Sequence, residues 1–117
     1  MWWLLIALGL LILTCWLTLQ YAIARNGPAV LDTVDRITGG TRGVEMVEQV
    51  RIGANASQKL LVYSKSGRTE PRPVVIFAHG GSWRSGDPQD YGFVARALVP
   101  EGYVVVLAGY RLGAEGR

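Results

Sequence analysis

Val74-Val75-Ile76-Phe77-Ala78-His79-Gly80-Gly81-Ser82-Trp83-Arg84-Ser85-Gly86-Asp87 is the stretch on which the reading of this chain turns. Its first five residues form an unbroken apolar run. A strand covered on both faces reads that way, which points to a parallel sheet. The run stops abruptly at His79 and two adjacent glycines. Asp87 then has the chemistry of a helix N-cap, with Pro88 at the first helical position and Asp90 in the first turn. Tyr91, Val94, Ala95 and Leu98 keep helical spacing, Glu101-Gly102 ends the helix, and Tyr103 to Ala108 is a second apolar run. Strand, Gly-rich loop, helix, strand is a βαβ unit. Ligands of open α/β sheets gather at the carboxyl ends of the strands, where His79 to Trp83 begin.

Working back towards the amino terminus, Val44, Met46, Val50 and Ile52 share a parity, with Glu48 the exception, and predict a half-buried strand. Gly53 to Ser57 turns the chain, and Leu60-Leu61-Val62-Tyr63 is a second strand, so the pair reads as an antiparallel hairpin. Asn55-Ala56-Ser57 is a formal glycosylation sequon, relevant only in a eukaryotic secretory setting. Residues 44–117 are therefore expected to be one small α/β domain.

The first two dozen residues are different in kind. Trp2 to Ala24 carries no charge and, at about 1.5 Å per residue, spans about 34 Å, enough to cross a hydrocarbon core of about 30 Å. Trp2, Trp3 and Tyr21 sit near its ends, where aromatic rings suit the headgroup layer. Thr14 and Thr18 are tolerable because their hydroxyls can bond back to helix carbonyls. The competing reading is a cleaved signal peptide, supported by Ala22-Ile23-Ala24. The long apolar run and the missing basic leader favour a transmembrane anchor over residues 1–25. Arg25, Arg36 and Arg42 follow the segment and lean towards a cytoplasmic domain, but the side of the membrane stays unassigned. Asn26-Gly27-Pro28 is expected to end the helix, and residues 26–43 to form a linker with at most a short amphipathic turn from Ala29 to Ile37.

Composition excludes several functions. The net charge is +3, but the twelve Lys and Arg are scattered among nine acidic residues, so there is no nucleic-acid footprint. One cysteine, Cys15, cannot form an internal disulfide, and one histidine without supporting ligands makes no metal site. No cofactor motif is present: the glycines of residues 38–43 lack both a preceding strand and the Gly-Lys-Ser/Thr ending of a phosphate loop.

The loop itself has a physical use. Acyl transfer places negative charge on the former carbonyl oxygen, and fixed backbone N–H donors aimed at that point are worth about 3–4 kcal/mol each. Two glycines directly after a strand allow the sharp bend and the close approach this requires. The string resembles the His-Gly-Gly-x oxyanion loop of α/β-hydrolase-fold esterases and lipases of the feruloyl-esterase-like type. Its His-Gly-Gly-Ser-Trp form, with Gly86-Asp87 following, is similar to that of kynurenine formamidases. Tyr110-Arg111-Leu112 after the next strand resembles the same group, so the likeness runs from about Val44 to Leu112.

The resemblance implies the N-terminal part of an α/β-hydrolase sheet, an antiparallel hairpin followed by a βαβ unit, preceded here by one transmembrane helix. It implies Gly81 and Ser82 as backbone oxyanion donors, Gly80 and His79 as loop support, and Trp83 as a wall of the acyl pocket. The family's catalytic triad follows in the order Ser, Asp or Glu, His, on an elbow of the form Gly-x-Ser-x-Gly. No such elbow occurs here, and the single histidine is already taken by the loop.

The expectation is the front portion of a membrane-anchored serine hydrolase acting on a small ester or an aryl formamide. It would hold the lipid bilayer through residues 2–24 and be inactive alone. The alternative is a non-catalytic anchored binding or interaction protein that kept the loop. With only four strands and one helix, the Tyr103–Ala108 strand is expected to be left as an open apolar edge.

Overall fold

A computed structural model describes residues 1–116. The elements run α1 (Trp2–Gly39), β1 (Val44–Arg51), β2 (Lys59–Lys65), β3 (Val74–Ala78), α2 (Gly92–Leu98) and β4 (Val104–Ala108). Short 3₁₀ turns, Pro88–Tyr91 and Val99–Glu101, flank α2. The four strands form one mixed sheet in the order β1-β2-β4-β3. The hairpin β1–β2 and the pair β2–β4 are antiparallel; β3 and β4 are parallel, in register from Val74↔Val104 to Ala78↔Ala108. This is the hairpin-plus-βαβ arrangement expected from the alternation and the two apolar runs.

Two strand expectations need correction. The open edge is β3, not the Tyr103–Ala108 strand. β4 hydrogen-bonds β2 on one side and β3 on the other, so the last strand lies inside the sheet. β3 accordingly leaves Val74 and Ile76 exposed. β1 is not half-buried either: only Val44 is covered, and Met46, Val47 and Ile52 are exposed. A register shift between Met46 and Glu48 breaks the parity that the alternating residues shared.

One face of the sheet packs on α2. Leu61, Val105 and Leu107 from the sheet meet Ala95 from α2 and Val99 from the turn after it, with Tyr63, Phe77, Tyr91 and Leu98 around them. Asp87 caps the turn into α2 as expected, its side chain accepting the Gln89 N–H at 2.8 Å, and Gly102 closes the far end with φ 104°.

The amino-terminal helix departs furthest from expectation. Asn26 is non-helical (φ −156°, ψ 78°), so the predicted break occurs. The chain nevertheless resumes as helix to Gly39, where a linker was expected over residues 26–43. Asn26 is the reason: its Oδ1 accepts the Ala29 N–H at 3.2 Å, an N-cap for the new helix with Pro28 in its first turn, where no N–H is needed. Thr14 and Thr18 bond back to Leu10 and Thr14 carbonyls at 2.8 Å. The segment before the break touches almost nothing, with Trp2, Trp3 and Leu4 each more than two-thirds exposed. This one N-terminal helix is long and apolar enough to cross a membrane, a form shared by anchors and signal sequences.

The segment after the break is clamped to α2. Buried Arg96 donates from Nη2 to Asp32, and from Nε to Asp35 at 2.7 Å. Arg36 and Arg42 complete the network at 2.7 Å to Asp32 and 2.9 Å to Asp35. The approach is close enough that a Cβ on Gly92 would lie 2.8 Å from Asp32 Oδ1.

Hydrogen bonds from Arg42 and then Arg96 hold the Asp35 carboxyl below its ordinary 3.8. A depressed carboxylate contributes stability above its unfolded pKa and loses it as the pH falls through the folded one. The melting temperature of the detergent-solubilised chain should therefore fall between about pH 5 and about pH 3, with a smaller fall in Asp35→Asn. Identical pH profiles for the two proteins would contradict this.

Candidate active site

The parallel register sets Ala78 beside Ala108, so His79 and Gly109 leave the carboxyl ends of β3 and β4 together. Gly109 has no room for a side chain: a Cβ there would lie 2.1 Å from the Ser57 carbonyl oxygen. His79 is buried between two aromatic rings, stacked on Tyr110 at 4.5 Å and on Tyr91 at 5.7 Å between centroids. Its Nδ1 lies 2.8 Å from the Gly80 carbonyl, which can only accept, so Nδ1 is the donor in that bond. Nε2 is buried without a hydrogen-bond partner among the described residues. The Tyr110 hydroxyl donates to the His79 carbonyl at 2.5 Å. His79 thus lies buried beneath the loop, and among the described residues Ser82 makes no hydrogen bond to it.

The loop above His79 is held in sparsely populated backbone. Gly81 has φ 127° and Gly86 φ 122°, and the non-glycine residues Ser82 and Trp83 sit at 54° and 58°. Two consecutive left-handed L-residues cost about 1–3 kcal/mol each, and such strain gathers at functional sites. The turn is closed by Arg84 N–H to the Gly81 carbonyl at 3.0 Å, and Trp83 O accepts from Gly113 N–H at 2.6 Å. Glycine is required at two places: a Cβ on Gly81 would lie 2.1 Å from Ser85 O, and one on Gly86 would lie 2.5 Å from His79 Nδ1. Among the described residues, the N–H groups of Gly81 and Ser82 donate to no protein acceptor.

The five residues singled out from sequence fall in three places. Gly80 and Gly81 line a cleft of about 340 Å³, facing residues 25–28 of α1, with Ser85, Gly86, Asp90 and Tyr91 completing it. Ser82 and Trp83 line a neighbouring cavity of about 290 Å³ with Arg84, Arg111 and Gly113. His79 lies under both. Trp83 is 76% exposed.

Sequence reasoning missed two participants. By sequence Tyr91 shows only helical spacing, and Asn26 only a helix stop. Burial, and then the negative charge of Asp90, push the Tyr91 phenol above its ordinary range, so the hydroxyl on the cleft wall stays protonated at neutral pH. Asn26 Nδ2 donates to Asp90 at 2.8 Å and closes the cleft's rim.

Removing the Tyr110 hydroxyl tests the brace. Tyr110→Phe should cost about 1–3 kcal/mol, because the His79 carbonyl is left unpaired in a partly buried place. A shifted urea midpoint at unchanged slope is the expected result, and an unmoved midpoint would show that the hydroxyl carries no such role.

A family model described as BD-FAE matches residues 60–117. The chain is 34% identical over 110 residues to kynurenine formamidase of Danio rerio, covering 86% of this chain and 38% of that protein. It is 37% identical over 67 residues to kynurenine formamidase of Salmo salar, covering 57% of this chain and 23% of that one. Among solved structures it superposes on esterase B of Lactobacillus rhamnosis with a TM-score of 0.55 and 29% identity, over 83% of this chain and 31% of the esterase. The chain thus spans well under half of the proteins it matches. A mixed sheet in this order, the loop at the end of β3 and these likenesses agree: the chain belongs to the α/β-hydrolase esterase family and corresponds to its N-terminal portion.

Proposed function

We propose that these residues form the oxyanion loop and front sheet of a membrane-anchored serine hydrolase that cleaves carboxylic esters, with nucleophile, acid and base contributed from outside the 117 residues. The observation that carries the reading is the strained loop at the end of β3, whose Gly81 and Ser82 N–H groups donate to no protein acceptor among the described residues. An ester carbonyl attacked by a serine becomes an alkoxide. Donors already fixed in place stabilise that charge without reorganising at the moment of reaction. The Gly81–Ser85 contact and the His79–Tyr110 bond are what hold them fixed. His79 braces the loop; buried and turned to Gly80, it is not the base.

The likeness to two formamidases extends the same chemistry to an aryl formamide, whose carbonyl passes through the same kind of tetrahedral intermediate. The anchor reading rests on residues 2–24 being uncharged, mostly apolar and exposed along almost their whole length, since little else among the described residues covers them.

A chimera tests the proposal. Joining this chain to the unmatched remainder of the Danio rerio formamidase should give a protein that hydrolyses p-nitrophenyl acetate, while the chain alone gives no saturable turnover. A folded chimera without activity would sink the hydrolase reading. Saturable turnover by the chain alone would sink the assignment of the triad to residues outside it.

A further inference from the structure

We propose that the acyl chain of the substrate reaches the loop from within the bilayer, along a groove on α1, so that the favoured esters are long-chain and membrane-dissolved. This rests on the esterase reading, in which the Gly80–Gly81 cleft takes an ester carbonyl and residues 2–24 cross a membrane.

The groove has a volume of about 450 Å³, and its walls include Leu19, Ala22, Ala29, Val30 and Val34. Its lower residues, Leu19 and Ala22, belong to the apolar stretch that precedes the break in α1. Ala29, Val30, Thr33 and Val34 lie beyond the break, and Asn26, between the two sets, is also a wall of the cleft at Gly80 and Gly81. One residue therefore borders both an apolar trough that starts at membrane depth and the cleft at Gly81, one of the two proposed oxyanion donors. The order of polarity matches an amphiphilic ester. Five aliphatic side chains line the groove with Asn26 and Thr33, and the cleft beyond it carries Arg25, Asn26, Ser85 and Asp90. Both spaces lie in the size range of ligand pockets.

Height and rigidity support the same assignment. Arg25 is the first charged side chain after the apolar stretch and lies over the Tyr21 ring at 5.8 Å. A cation on an aromatic ring at a helix end suits the headgroup layer. Because Arg25 also borders the cleft, the loop stands at that level. The break in α1 does not leave it free to wander: Asn26 is bonded to Asp90, and Asp32 and Asp35 are clamped by Arg96. The part of the trough from Asn26 onward and the loop are thus held together. A short, water-soluble ester would leave the trough empty and forgo the apolar burial that each added methylene provides.

The test uses the full chain in phosphatidylcholine nanodiscs with two photoreactive esters: a palmitoyl ester with a diazirine in its chain, and a water-soluble butyrate ester with a diazirine in its alcohol. Labelled residues are read by mass spectrometry. The palmitoyl probe should mark both the groove and residues 80–86, and mark that loop at least about tenfold more than the butyrate probe. Ala29→Trp, which fills the trough, should cut palmitoyl labelling of the loop by about the same factor. If the butyrate probe marks the loop as strongly, if palmitoyl labelling stays within residues 2–24, or if Ala29→Trp changes nothing, the bilayer route is overturned while the esterase reading stands. If neither probe marks the loop, the cleft is not an acyl site and both fall together.

Discussion

Replacing Arg96 with methionine is expected to destabilise the folded body by about 3–5 kcal/mol, the largest stability loss anticipated from any single side chain here. The guanidinium is buried and serves two carboxylates, Asp32 and Asp35, that reach it from the helix restarted at Asn26. Removing it leaves Asp32, itself 4% exposed, with a charge in low dielectric and only the surface Arg36 as partner. Breaking one side of a buried ion network costs far more than the network contributes over an apolar replacement of the same shape. The triple variant Arg96→Met, Asp32→Leu, Asp35→Leu should accordingly regain most of the loss. Hydrogen exchange at β4 amides in detergent measures both. A single variant within about 1 kcal/mol of the parent would mean that residues 27–39 are held to α2 by something other than these charges.

That contact also marks the limit of what sequence could tell. The strands β3 and β4 were legible because continuous apolar runs of five or six residues have few other uses, and the Asp87-Pro88 start because capping is local chemistry. The hairpin was legible from its turn. What failed was whatever depended on a partner far along the chain. Asn26-Gly27-Pro28 reads as a stop, and it does break α1. The same asparagine caps the helical turn that begins at Gly27, and the resumed helix is held by Arg96, sixty-four residues beyond Asp32 in sequence.

The edge of the sheet was misplaced for a similar reason. Chain order puts Tyr103 to Ala108 last, yet pairing inserts β4 between β2 and β3. The candidate site was half legible. The glycines and their bend were readable from His79-Gly80-Gly81. The stacking of Tyr91 and Tyr110 around the histidine needed the parallel register to bring Ala78 and Ala108 abreast.

Gly81→Ala, introduced into the chimera with the Danio rerio formamidase, is expected to lower kcat for p-nitrophenyl acetate by about 10²–10³-fold, the loss of about one oxyanion donor. The argument is steric before it is chemical. Gly81 has φ 127°, a conformation that L-residues rarely adopt, and a methyl there would stand 2.1 Å from the Ser85 carbonyl oxygen. That oxygen belongs to backbone and cannot swing aside as a side chain would. To admit the methyl, the turn closed by Arg84 N–H on the Gly81 carbonyl must open, and the Gly81 and Ser82 N–H groups then move from their places.

KM should change much less than kcat, because a donor that acts on the alkoxide has little to offer the ground-state carbonyl. Gly80→Ala is the companion variant. No atom lies within 4 Å of the Cβ it would add, and its φ lies outside the left-handed range, so the turn should survive and kcat should fall far less. Equal losses in the two variants, or a Gly81→Ala effect confined to KM, would mean that the loop shapes the cleft without holding the developing charge.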